Sequence, residues 1–298
     1  MGSEGLVSGA VRLRLACRKA LTVAYAVCMA ASIGYLVHLN VSDWLAQREA
    51  ERNITRIQNL YPDENDPERL EYKRQAQLYN AVLAGNAGGD AVGGANGDGV
   101  LPYKEQLFYK QEPMISYIEI PKIAVKLPIY HGTEDNALMA GVGHLEGSSL
   151  PIGGVPSRCV LLGHSGMPNT RMFDDLHKLE PGDVFVIWTL GDPYAYQVVE
   201  AETVLPDQLL DRLGLEPGCD LATLVTCTPY GVNSHRLLVH AERCAYDGAS
   251  VGEVGVDAYL NARTGPLIAA MLLLLAVATV TIARILRRKA SRNGRKKR

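Results

Sequence analysis

Two runs free of Asp, Glu, Lys and Arg, residues 20–39 and 266–283, lie near the ends of this 298-residue chain. At about 1.5 Å per helical residue, each approaches the roughly 30 Å hydrocarbon core of a bilayer. Cations flank both on their outer sides. Arg12, Arg14, Arg18 and Lys19 precede the first run, and nine Lys or Arg from Arg284 to Arg298 follow the second. Loops rich in Lys and Arg stay in the cytoplasm, so both ends are expected inside the cell and the middle outside. A cleavable signal peptide is the competing reading of the first run, with Ala30 and Ala31 near a possible cleavage site. The run exceeds a usual signal core, which favours an uncleaved anchor.

The middle has the composition of a folded domain. Hydrophobic residues make up 47% and charged residues 21% of the chain, which excludes collagen, a disulfide-dense mini-protein and wholesale disorder. The formal net charge of −2 gives no footprint for nucleic acid as a partner, and it averages basic ends with an acidic centre. Residues 43–83 read as helix: Trp44, Ile54, Ile57 and Leu60, then Leu70, Leu78 and Val82, recur at helical spacings among charges. Asn65-Asp66-Pro67 supplies a cap and a first-turn proline for a second helical piece. Residues 84–99 are dominated by Gly, Ala, Asn and Asp and read as a flexible tether.

From Ser116 the pattern changes to short runs of β-formers separated by Gly and Pro. Strands are expected at 117–120, 125–130, 159–163, 184–189, 196–204, 221–227 and 236–243, with one amphipathic helix at 172–179. Many short strands and few helices predict a β-barrel or sandwich.

Six cysteines in a domain facing an oxidising exterior need an account. Cys17 and Cys28 fall in or beside the first run, and Cys159 falls in an apolar strand, the setting of a buried thiol. Cys227 differs, because it ends a strand and is followed by the turn Thr228-Pro229-Tyr230-Gly231. If the next strand folds back as a hairpin, Arg236 stands opposite Cys227. A guanidinium there favours the thiolate and can hold an oxyanion. The same register sets Cys219 opposite Cys244, a possible disulfide. Thiol catalysis usually needs an imidazole. His164 ends the apolar strand that begins at Cys159 and is the leading candidate, with His144 the runner-up. The chain lacks Cys-x-x-Cys, His-Glu-x-x-His and EF-hand spacings, so no metal and no cofactor is expected.

Thr223-Leu224-Val225-Thr226-Cys227 followed by Arg236 resembles the TLxTC…R signature of sortases, the cell-wall cysteine transpeptidases. The segments 129–133, 141–151, 162–164 and 227–236 are similar to class C, the pilin-polymerising sortases, across roughly residues 114–243. The resemblance implies an eight-stranded sortase β-barrel, with Cys227 as nucleophile, His164 as proton-transfer partner and Arg236 as stabiliser of substrate or oxyanion. It implies attack on an LPxTG-like sorting signal between Thr and Gly. A pilin lysine amine would then resolve the thioacyl-enzyme into an isopeptide-linked fibre.

With that resemblance the chain divides into a basic cytoplasmic start (1–19), a membrane helix (20–39), and an extracellular helical region with tether and candidate lid (40–113). There follow the catalytic barrel (114–246), a linker (247–265), a second membrane helix (266–283) and a basic cytoplasmic tail (284–298). One feature departs from the class. Its usual lid motif, Asp-Pro-aromatic, is missing from the region ahead of the barrel, and the nearest equivalent there is the segment from Asp98 through Leu101 to Tyr103. Those three residues are the lid candidates expected near Cys227, with His144 a further substrate-binding candidate. The alternatives are a sortase that chiefly anchors surface proteins to the wall, another extracellular cysteine peptidase, or a non-catalytic anchored domain.

Overall fold

A computed structural model of the protein describes residues 3–61, 63–86, 99–167 and 170–248. By contacts the chain divides into two compact units, Met1–Ala46 with Pro168–Thr170, and Gln47–Met167 with Arg171–Arg298. All of the chemistry discussed below lies in the second. Among the described residues, no helix is long and apolar enough to cross a membrane. The first expected span falls on helix α1 (Ser3–Gln58), and the second, 266–283, lies outside the described residues.

Helix α2 (Pro67–Asn86) begins where the proline and its preceding acid predict. The Asp66 carboxylate accepts hydrogen bonds from the amides of Glu68 and Arg69 at 2.8 and 3.3 Å, satisfying donors that a helix start leaves orphaned. Its buried face differs from the expected stripe. Ala76, Tyr79 and Leu83 enter the core, whereas Leu70 and Leu78 are exposed. On the last turns of α1, Ile54 and Ile57 pack against Met114 and Tyr117.

Eight strands follow: β1 (Met114–Ile120), β2 (Val125–His131), β3 (Val142–His144), β4 (Ser157–Leu162), β5 (Val184–Thr189), β6 (Asp192–Val204), β7 (Asp220–Thr228) and β8 (His235–Arg243). They close into a barrel in the order β1-β2-β3-β4-β7-β8-β6-β5, which leaves no open sheet edge. Most neighbours are antiparallel, but β2–β3 and β4–β7 run parallel and need crossovers. The first crossover carries a short helix, α3 (Asp135–Ala140). Sequence periodicity could not show β3, because its three residues are too few to display a period.

The barrel's interior is filled by Ile118, Phe185, Tyr196, Ala222 and Leu224 among others. Val160, Val225 and Leu238 point the other way, into a second apolar cluster with Val204 and Leu213 on the outer face. Strands β4 and β7 are therefore covered on both faces, which explains their continuous apolar runs. The helix expected at 172–179 is reduced to one 3-10 turn, Leu176–Lys178. Phe173 and Leu176 are buried as the amphipathic pattern requires. The Asp174 carboxylate takes the amide of Gly166 at 2.7 Å, tying this turn to the loop after β4.

Candidate active site

The hairpin of β7 and β8 has the register the sequence predicts, with Cys227 opposite Arg236 and Thr228 opposite His235. The Arg236 guanidinium donates from Nη1 to the carbonyls of Asn233 and His235 at 3.2 and 3.0 Å. That tether fixes one nitrogen over the turn. Its other donors have no partner among the described residues and can meet an oxygen brought to Cys227.

His164 reaches the same place from β4. Leu162 pairs with Val225, and the ladder continues through the Gly163 amide to the Val225 carbonyl at 3.0 Å. The Thr226 hydroxyl donates to the Gly163 carbonyl at 2.7 Å, and the Ser165 hydroxyl donates to the Cys227 carbonyl at 2.5 Å. The chain leaving β4 is thus tied to the last residues of β7 on both sides of His164. Leu162, Val225 and Leu238 all belong to the outer apolar cluster. Side chains two residues apart on a strand share a face, so Cys227 and Arg236 lie on that outer face, and the segment carrying His164 lies at the same barrel end. A thiol, an imidazole and a guanidinium so placed can perform nucleophilic acyl transfer: attack by sulfur, proton transfer by imidazole, and oxyanion stabilisation by guanidinium.

A cleft of about 490 Å³ adjoins this end, lined by Ser165, Arg171, Thr226, Cys227 and Tyr230 among others. Ser165 is a site residue that the sequence did not single out; its only signal was adjacency to His164. Gly163 is another. A Cβ on it would stand 2.5 Å from the buried Phe173 ring, and the Phe173 amide in turn donates to the His164 carbonyl at 3.0 Å.

Other expected site residues lie elsewhere. Asp98 falls outside the described residues. Leu101 donates its amide to the Gln75 side chain at 3.2 Å. Tyr103 is buried in the barrel core and does not line the cleft at Cys227. Its hydroxyl stands 2.9 Å from His144 Nδ1 and 2.8 Å from the His144 carbonyl, and it accepts the Gly132 amide at 2.9 Å. An aromatic body with one polar tip suits a core site that offers such partners.

His144 is itself fully buried. Its Nε2 meets the Ser149 carbonyl at 2.9 Å; a carbonyl can only accept, so Nε2 carries the proton. Burial lowers the His144 pKa to about 4, and burial likewise lowers that of His131 to about 4. His144 is a neutral structural histidine, not a groove residue. Burial raises the pKa of Cys159 far above the ordinary thiol value, which fits an inert core thiol.

The disulfide expected between Cys219 and Cys244 is not formed, and both are free. The β7–β8 ladder ends at Leu221 and Glu242, two residues short of them. Beyond that point the two ends bind different neighbours: the Cys219 carbonyl takes the Ser157 amide, and the Cys244 amide donates to Ala195, each at 3.0 Å. Among the described residues no group of His, Cys, Asp or Glu could hold a metal ion.

A closed eight-stranded barrel with a strand-end cysteine facing a cross-strand arginine defines the sortase class of cysteine transpeptidase. Residues 118–244 match the family profile "Sortase domain". The chain is 42% identical to sortase C1 from Streptococcus agalactiae, with a TM-score of 0.59, covering 67% of this chain and 100% of that one. It is 40% identical to a lid mutant of sortase A from Corynebacterium diphtheriae, with a TM-score of 0.54, covering 61% and 96%. Sortase D of Bacillus subtilis is 27% identical over 174 residues, 57% of this chain and 84% of that protein. The chain belongs to the sortase family, and its solved neighbours include class C sortases.

Proposed function

We propose that this sortase polymerises pilins. The arrangement that supports this chemistry is Cys227 opposite Arg236 at the end of the β7–β8 hairpin, with the segment carrying His164 hydrogen-bonded to the backbone of Val225 and Cys227. In this reading the Cys227 sulfur attacks the Thr carbonyl of an LPxTG-like sorting signal. A carbon–sulfur bond forms, the Thr–Gly bond breaks, and His164 delivers a proton to the departing glycine amine. A lysine amine of the next pilin then attacks the thioester, forms the isopeptide and releases the thiol. Arg236 holds the carbonyl oxygen through both tetrahedral stages. Likeness to class C neighbours favours lysine over other amines as acceptor.

The test is mass spectrometry of the ectodomain incubated with an LPxTG peptide. A thioacyl adduct on Cys227, lost in Cys227→Ala, supports the site, whereas an adduct elsewhere overturns it. Adding a lysine-bearing pilin peptide or a wall-peptide amine then decides between polymerisation and wall anchoring by which one is joined. The reading includes two membrane helices, 20–39 and 266–283, with both basic ends in the cytoplasm; the charge pattern of the sequence supports it. Protease digestion of intact protoplasts checks that placement, since both ends should be protected and the barrel removed.

A further inference from the structure

We propose that Arg158 is a positioning residue for the reaction at Cys227, acting through the connection between β6 and β7. Arg158 lies on β4, with a side chain only 4% exposed. Its Nε donates to the Gly214 carbonyl at 2.7 Å and its Nη2 to the Glu216 carboxylate at 2.6 Å. Its Nη1 donates to the Thr223 hydroxyl at 3.0 Å and stands 3.2 Å from His240 Nδ1. One guanidinium therefore binds the connection twice and strands β7 and β8 once each. The rigid fork of an arginine suits this, where a lysine could not serve separate acceptors in fixed directions.

His240 is set up to receive it. Its Nε2 lies 3.2 Å from the Glu202 carboxylate of β6, which can only accept, so Nε2 carries the proton and the Nδ1 lone pair faces both Arg158 Nη1 and the Thr223 hydroxyl, the latter at 3.1 Å. The result is a polar knot across β4, β6, β7 and β8, with the connection as its fifth member. A cavity of about 490 Å³ opens beside the knot, lined by Arg158, Glu216 and His240 among others. On this side the connection is held by hydrogen bonds rather than by close packing.

On its other side the connection reaches the catalytic residues. Leu209 and Leu213 pack with Val160, Val225 and Leu238 in the outer cluster. Val225 is one outward-facing step from Cys227, and Leu238 is one such step from Arg236. Val204, the last residue before the connection, pairs directly with Arg236. A peptide approaching Cys227 over this face meets a surface whose shape depends on where the connection lies. Arg158 sets that position without touching substrate.

The experiment compares wild type, Arg158→Met and Glu216→Gln. Turnover of an LPxTG peptide gives KM and kcat, alkylation of Cys227 by iodoacetamide reports the thiol, and hydrogen exchange follows the amides of residues 205–219. The expected result for Arg158→Met is a KM raised about tenfold, kcat and alkylation within about threefold of wild type, and faster exchange confined to the connection. Glu216→Gln, at an exposed position where folding is not at risk, should raise KM about two- to threefold; it decides the matter should Arg158→Met not fold. Unchanged KM or unchanged exchange in the connection overturns the proposal. So does a parallel loss of kcat, alkylation and KM, which would mark general damage. The peptide class rests on the function proposed above. Wild-type turnover tests that reading separately, and the exchange measurement stands without it.

Discussion

The ring of Phe173 fills the space that a side chain on Gly163 would need, with its Cδ2 2.5 Å and its Cγ 2.7 Å from where a Cβ would stand. Phe173 is fully buried and hydrogen-bonded to the His164 backbone, so it cannot yield without moving the imidazole-bearing segment. Gly163→Ala is expected to cost about 1–3 kcal/mol of stability, the range for overpacking, and to lower kcat about tenfold or more. Thermal unfolding and peptide turnover on the same preparation check both effects. Turnover at the wild-type rate would show that His164 is not held by this contact.

Arg236→Lys tests the guanidinium at the thiol. Lysine keeps the charge but cannot both tether to the Asn233 and His235 carbonyls and reach an oxygen at Cys227. Loss of an oxyanion donor typically lowers kcat by about 10²–10³, and that fall is expected here with KM little changed. Because Arg236 is partly exposed, stability should shift by less than about 0.5 kcal/mol. Rapid-quench mass spectrometry should find the thioacyl step slowed.

Tyr103→Phe separates a core anchor from a lid. Removing the hydroxyl leaves the Gly132 amide without its acceptor and takes away a partner of His144, both in the barrel interior. The expected cost is about 1–3 kcal/mol, seen as a lower melting temperature, with kcat unchanged. The opposite pattern, full stability with faster alkylation of Cys227, is what a lid contact would give.

Acid should loosen the fold through its buried histidines. His131 and His144 have pKa values lowered by burial to about 4, against 6.5 for the free side chain. Between those values the unfolded chain holds protons that the folded chain refuses. Stability is therefore full above about pH 6.5 and declines as pH falls toward 4. For His144 alone the linkage amounts to about 3 kcal/mol at most. Chemical denaturation at a series of pH values should show that slope. His144→Gln, which can still donate to Ser149 and accept from Tyr103, should flatten it in part.

The hairpin was readable because register is arithmetic. Once β7 and β8 are known to fold back on each other, Cys227 must face Arg236, and the structure has that pairing. The same arithmetic failed at Cys219 and Cys244, where the ladder had ended and each backbone had found a nearer partner. The placement of the His164 segment beside the end of β7 was readable because an imidazole ending an apolar strand is an unusual feature. Tyr103 was misjudged because a polar tip gives no sign of whether it meets water or a buried histidine. Arg158 carried no local signal either. Its partners are Gly214, Glu216, Thr223 and His240, which only the parallel β4–β7 pairing and the closed barrel bring within reach.

That parallel pairing also orders events in time. Cys227 and Arg236 meet by closing a span of nine residues, whereas His164 meets Cys227 across sixty-three. The longer closure costs about 2 kcal/mol more in chain entropy. Contacts so distant in sequence are slow to form. A folding chain thus brings Cys227 to Arg236 early and to the segment bearing His164 last. Cys227 meets the segment bearing His164 only when the barrel has shut, so the reactivity of that thiol would itself report that folding is complete.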